Sequence, residues 1–151
     1  MVGLADAGVE EIRIVNRTLA RAEALAALAG IAGLRVSAHA MNDGPAALAE
    51  AGIVINTTSL GMIGQPPLEL DLAMLPAEAV VNDIVYAPLE TGLLAAARAR
   101  GNTVIDGLGM LLHQARAGFR AWFGVDAAVD EDLRGAVLAA HDNHARDVAA
   151  T

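Results

Sequence analysis

Short β-branched runs alternate with stretches of helical spacing along the chain. Ile12–Val15 predicts a strand, followed by a helix from a Thr18 cap to about Leu28, with Gly30 and Gly33 ending it. Leu34–Ala38 predicts a second strand, and Pro45–Ala51 a short helix closed by Gly52. Ile53–Asn56 predicts a third strand that opens into the polar, glycine- and proline-rich loop NTTSLGMIGQPP. Ala79–Val85 and Thr103–Ile105 predict two more strands, with a threonine-capped helix, Thr91–Arg100, between them. Gly107–Phe123 and the polar Asp130–Ala145 predict the last two helices.

This alternation predicts βαβ units and a parallel sheet covered on both faces, because parallel neighbours need crossover helices. The strands are short and continuously apolar, as strands buried on both faces are. Ligands of such sheets bind beyond the strands' carboxyl ends. The stretches to examine are therefore NRT, NTTSLGM, DIVYAPLET and DGLGMLLHQ.

Composition narrows the function. The formal net charge is −8, which argues against general nucleic-acid binding. There are no cysteines, so neither a disulfide frame nor a cysteine metal site is available. No apolar run reaches the ~18–20 residues that span a bilayer, and the first residues lack a signal-peptide pattern. The expectation is a soluble cytoplasmic protein. All ten basic residues are arginines, so no lysine of this chain serves as an acid or base.

Asn16, Arg17 and Thr18 follow the first strand, and Arg21 lies three residues further on. Where a dinucleotide-binding fold meets the adenosine ribose, a carboxylate favours NAD and an arginine accommodates the 2′-phosphate of NADP. The guanidinium fork suits a phosphate, and a helix N-terminus adds amide donors. On residues alone two readings stand: a phosphate site, or two arginines solvating a surface helix. Met110 and Gln114 are i, i+4 neighbours that share a helix face. The spacing would turn one apolar side chain and one amide toward the same cleft, but on residues alone a core methionine and an ordinary exposed glutamine is the preferred reading. Leu111, Ala115, Phe119 and Trp122 recur at helical spacing and read as a core stripe. His141 and His144 with Asp142 read as a solvated helix face rather than a metal site. Asp106 is placed to cap a helix. Asp83 is placed either to satisfy loop backbone or to orient the segment that carries Tyr86.

A dinucleotide fold places a strand and a G-x-G-x-x-G/A turn ahead of a strand such as EIRIVNRT. Neither occurs here, and MVGLADAG reads as the tail of a helix. In strand order 3-2-1-4-5-6 the missing strand is central, so its loss should part the strands on either side. The expectation is a fragment, or a chain with a late start.

In this order and spacing, NRT with its following arginine, INTTSLGM, NDIVYAPLETGLL and DGLGMLLHQA resemble the C-terminal NADP-binding half of the shikimate dehydrogenase family, from about Leu4 to Gly124. The resemblance implies an α/β Rossmann-like doubly wound parallel sheet lacking its first strand and glycine-rich loop. It implies one partial domain over residues 1–151. It also implies NADPH-dependent, reversible reduction of 3-dehydroshikimate to shikimate, a cyclic hydroxy acid. By the same resemblance Asn16, Arg17, Thr18 and Arg21 hold the adenosine 2′-phosphate and adenine. Thr57, Thr58 and Ser59 line the cofactor groove. Ile84, Gly107 and Met110 lie at the nicotinamide, and Tyr86 and Gln114 face the substrate. The family's proton-transferring lysine and aspartate belong to an N-terminal substrate domain that this sequence does not contain. No catalytic residue and no metal ligand is therefore assigned, and the chain alone is expected to be inactive. A quinate-type dehydrogenase and a non-catalytic nucleotide-binding module are the alternatives.

Overall fold

A computed structural model describes the backbone of residues 1–149 and the side chains of residues 1–140. His141, Asp142 and His144 lie outside the described side chains. The elements run α1 (Val2–Asp6), β1 (Glu11–Asn16), α2 (Leu19–Ala27) and β2 (Arg35–Ala40). A 3-10 turn (Met41–Asp43) then leads into α3 (Gly44–Leu48), followed by β3 (Ile53–Asn56), β4 (Val80–Asp83) and α4 (Gly92–Ala99). The chain continues through β5 (Thr103–Ile105), α5 (Gly107–Phe123) and α6 (Glu131–Ala149).

All strand pairs are parallel and fall into two sheets, β1-β2 and β3-β4-β5. The parting between β1 and β3 is what the strand-order argument expects. α3 bridges the two sheets. From β1, Arg13 donates through Nη1 to the carbonyl oxygens of Ala47 (3.2 Å) and Ala49 (2.5 Å) at the end of α3. Its Nε donates to Glu11 at 3.0 Å. Leu48 of α3 is buried with Val54 and Val81 of the other sheet.

The main core lies on one face of β3-β4-β5, where Val54, Val81, Leu93, Leu94 and Ala97 pack with Leu72, Leu75 and Ala79. Full burial of a leucine or valine contributes ~1.5–3 kcal/mol. The alternate face falls short of the expected two-sided cover, since Ile53 and Ile105 are 43% and 49% exposed. Asn102 is buried, and its amide donates to the carbonyls of Pro76, Ala77 and Ala79, which pins the segment entering β4.

Several local expectations are corrected. Thr18 precedes α2 but its side chain makes no cap bond; instead the Asn16 side chain accepts from the Thr18 amide at 2.8 Å, forming an Asx turn. The positive φ after α3 belongs to Glu50 (62°) rather than to Gly52. The α5 stripe is not core, because Phe119 and Trp122 are 41% and 81% exposed and Ala115 is exposed. The buried residues of that helix are Gly107, Leu108 and Leu112, all in its first half. No helix among the described residues is long and apolar enough to cross a membrane.

Glu11 titrates below the ordinary glutamate range, chiefly through its hydrogen bond to Arg13. A lowered carboxyl pKa gives stabilisation that is present above the unfolded value and lost as pH falls through the folded one. An NMR pH titration should therefore show the Glu11 carboxyl midpoint below that of an ordinary glutamate. Arg13→Ala should move it upward, and an unmoved midpoint contradicts the pairing.

Candidate functional site

The segments that follow β1, β3, β4 and β5 carry the residues assigned to cofactor and substrate. After β1, Asn16 is half-buried while Arg17, Thr18 and Arg21 are exposed. Arg13, Arg35, Arg98, Arg116 and Arg134 each face a carboxylate. Among the described residues Arg17, Arg21, Arg100 and Arg120 do not; Arg100 donates to Leu75 O at 2.7 Å, and Arg17 and Arg21 are the two beside the start of α2. Free donors of this kind suit an anionic ligand.

After β3, Thr57, Thr58 and Ser59 are exposed at the head of the loop. The Thr58 hydroxyl is already engaged: it donates to Asn56 Oδ1 at 2.8 Å and accepts from the Leu60 amide at 3.1 Å. It helps shape the loop, and among the described residues the hydroxyls of Thr57 and Ser59 have no hydrogen-bond partner. After β4, Ile84 is half-buried and Tyr86 is 42% exposed.

Backbone bonds sew these segments together. The Ile84 amide donates to Asn56 O (3.1 Å), the Ile63 amide to Ala87 O (2.9 Å) and the Gly107 amide to Val85 O (3.2 Å). Gly107 is buried, and a side chain there would collide with the Ile84 carbonyl and lie 2.6 Å from Val85 O. Its lack of a Cβ therefore lets the start of α5 close onto the turn after β4. One turn further on, Met110 is 40% exposed, and Gln114 follows, also exposed. Asp106 caps α5 as expected, accepting from the Leu108 amide at 3.0 Å. Arg134 of α6 grips the same carboxylate with both nitrogens, at 2.5 and 3.3 Å, and that bond raises the arginine's pKa.

The structure thus ties together by hydrogen bonds the segments that carry Thr57–Ser59, Ile84–Tyr86 and Gly107, with Met110 and Gln114 further along α5. It places Asn16–Arg21 on the other sheet, joined to the first through α3. Sequence reasoning named Asp83 but left its role open between loop backbone and the Tyr86 segment, and it missed Asn56 beneath those segments. Asn56 and Asp83 are paired in register at the ends of β3 and β4 and are buried on the core-facing side. A polar residue closing each of two adjacent apolar strands was the available signal.

Comparison with known proteins agrees with this geometry. A family model described as shikimate / quinate 5-dehydrogenase matches residues 2–63, and one described as the shikimate 5'-dehydrogenase C-terminal domain matches residues 107–134. The chain belongs to the shikimate dehydrogenase family. It is 59% identical to shikimate dehydrogenase (NADP(+)) of Methylobacterium radiotolerans over 139 residues, 92% of this chain and 48% of that protein. It therefore spans about half the length of the curated relatives it matches. Quinate dehydrogenase of Corynebacterium glutamicum, solved with NAD, superposes with a TM-score of 0.77 at 32% identity, covering 90% of this chain and 49% of that one. Shikimate 5-dehydrogenase of Thermus thermophilus, solved with NADP(H) and shikimate, gives 0.67 at 34% identity, covering 83% and 44%. Solved relatives thus carry either nicotinamide cofactor.

Two outcomes check this assignment of roles. Arg17→Ala and Arg21→Ala, exposed and without ion-pair partners among the described residues, should each change stability by less than about 0.5 kcal/mol in thermal unfolding. Gly107→Ala should lower it by ~1–3 kcal/mol or more, as overpacking against fixed backbone does. A large loss from the arginine variants, or none from the glycine variant, contradicts those roles.

Proposed function

We propose that this chain is the cofactor-binding part of an NADP-dependent shikimate dehydrogenase, which reduces 3-dehydroshikimate reversibly to shikimate in the cytoplasm. The observation that carries the cofactor choice is the pair of free guanidinium groups, Arg17 and Arg21, at the carboxyl end of β1, where an NAD-selective fold has a carboxylate. They bind the adenosine 2′-phosphate, and the Asn16 turn fixes the backbone from which they project. When bound, the cofactor supplies the hydride for carbonyl reduction.

The chain's own residues bind and orient. Thr57 and Ser59 line the groove, while Ile84, Gly107 and Met110 form an apolar wall for the nicotinamide. Tyr86 and Gln114 face the cyclic hydroxy acid. Such positioning contributes to rate by holding reactants in near-attack geometry. Proton transfer falls to groups outside this lysine-free chain, in the substrate domain that the resemblance implies. Residues 1–151 are taken as one domain. The exposed Tyr86 and Gln114 fit quinate as well as shikimate.

Titration with NADPH and NADH, followed by fluorescence, tests the reading. NADPH should bind more tightly, and Arg17→Ala should remove roughly tenfold of that preference, the scale of one charge-assisted hydrogen bond. Equal affinities, unchanged by the substitution, leave the arginines as surface charge.

A further inference from the structure

The buried group that this chemistry does not use is Asp83. It has no exposed surface, and its carboxylate accepts three hydrogen bonds from three different segments. Asn56 Nδ2 donates to Oδ1 at 3.0 Å from the end of β3, and the Val85 amide donates to the same oxygen at 3.0 Å from the turn after β4. Thr91 Oγ1 donates to Oδ2 at 2.7 Å from the start of α4. Each donor holds a further part of the cleft. Asn56 Nδ2 also donates to Leu60 O (3.2 Å), and its Oδ1 accepts from the amide (3.0 Å) and hydroxyl (2.8 Å) of Thr58. Thr91 accepts from the Leu94 amide at 3.4 Å, and its Cβ underlies Gly61, a glycine at φ +89° in the same loop.

Stability alone does not call for this arrangement, since a buried charge is often replaced by apolar packing at no loss. The carboxylate does what an apolar group cannot: it fixes the direction of three segments at once. We propose that Asp83 is a positioning residue for the nucleotide cleft, holding the Thr57–Ser59 loop and the Ile84–Tyr86 turn in one fixed relation through Asn56 and Thr91. The proposal rests on the cofactor reading given above.

The test compares Asp83→Asn with Val81→Ala, a neighbour on the same strand that is equally buried and has no polar side-chain partner. Two quantities are measured in each: NADPH affinity, and hydrogen exchange of the Thr58, Leu60 and Val85 amides. Asparagine keeps the shape of aspartate but replaces one acceptor with a donor. It should weaken NADPH binding roughly tenfold and speed exchange at those amides on the order of tenfold. Val81→Ala, matched for loss of melting temperature, should leave both within about twofold. Thr91→Val should reproduce the Asp83→Asn pattern and Thr91→Ser should restore it, which decides the matter if Asp83→Asn fails to fold. Equal effects from the Asp83 and Val81 variants, or no effect of Thr91→Val, overturn the proposal. If the unaltered chain has no affinity for NADPH, the cofactor reading fails, and amide exchange alone then judges Asp83.

Discussion

A carboxylate with no exposed surface survives in a fold only where donors converge on it, and Asp83 has three. The rest of the cleft follows from that convergence. Parallel strands end at one edge, and each ending leaves backbone groups to be satisfied. At β3 and β4 the paired residues Asn56 and Asp83 meet that demand and extend it into the loops beyond. The turn after β4 is then available to Gly107, whose missing side chain lets α5 approach and presents Met110 beside it.

The end of β1 is built differently. β1 and β2 form their own sheet, and α3 with Arg13 ties them to the larger one. Arg13 is spent on carbonyl oxygens and on Glu11, whereas Arg17 and Arg21 are left free of carboxylates among the described residues. One arginine thus holds the sheets together while two others remain for a ligand. The relatives solved with NAD and with NADP(H) share the architecture, so the fold alone does not set the cofactor.

Much of the fold was legible because its strands are short, apolar and well punctuated. β3, β5 and α5 have the predicted bounds, since Gly52, Gly101 and Asp106 mark where backbone direction changes. Thr18 misled because its hydroxyl makes no bond to the first α2 amides; the Arg21 amide donates to the Thr18 carbonyl instead. The aromatic spacing of α5 misled because periodicity says that residues share a face, not that anything covers it; Trp122 shares such a face and is exposed. The exposed residues proposed for the site rest on motif order. Asp83 was named from its place at a strand end, but its pairing with Asn56 was not legible, because the two are 27 positions apart and adjacent only through register.

The central claim is that the end of β1 receives a phosphate on a nucleotide's ribose. The most direct measurement is an amide shift map recorded with adenosine 2′,5′-bisphosphate and, separately, with adenosine 5′-monophosphate. The account predicts shifts centred on Asn16–Arg21 that are strong with the bisphosphate and weak with the monophosphate. Shifts of equal size for both ligands, or shifts centred on another surface, would contradict it.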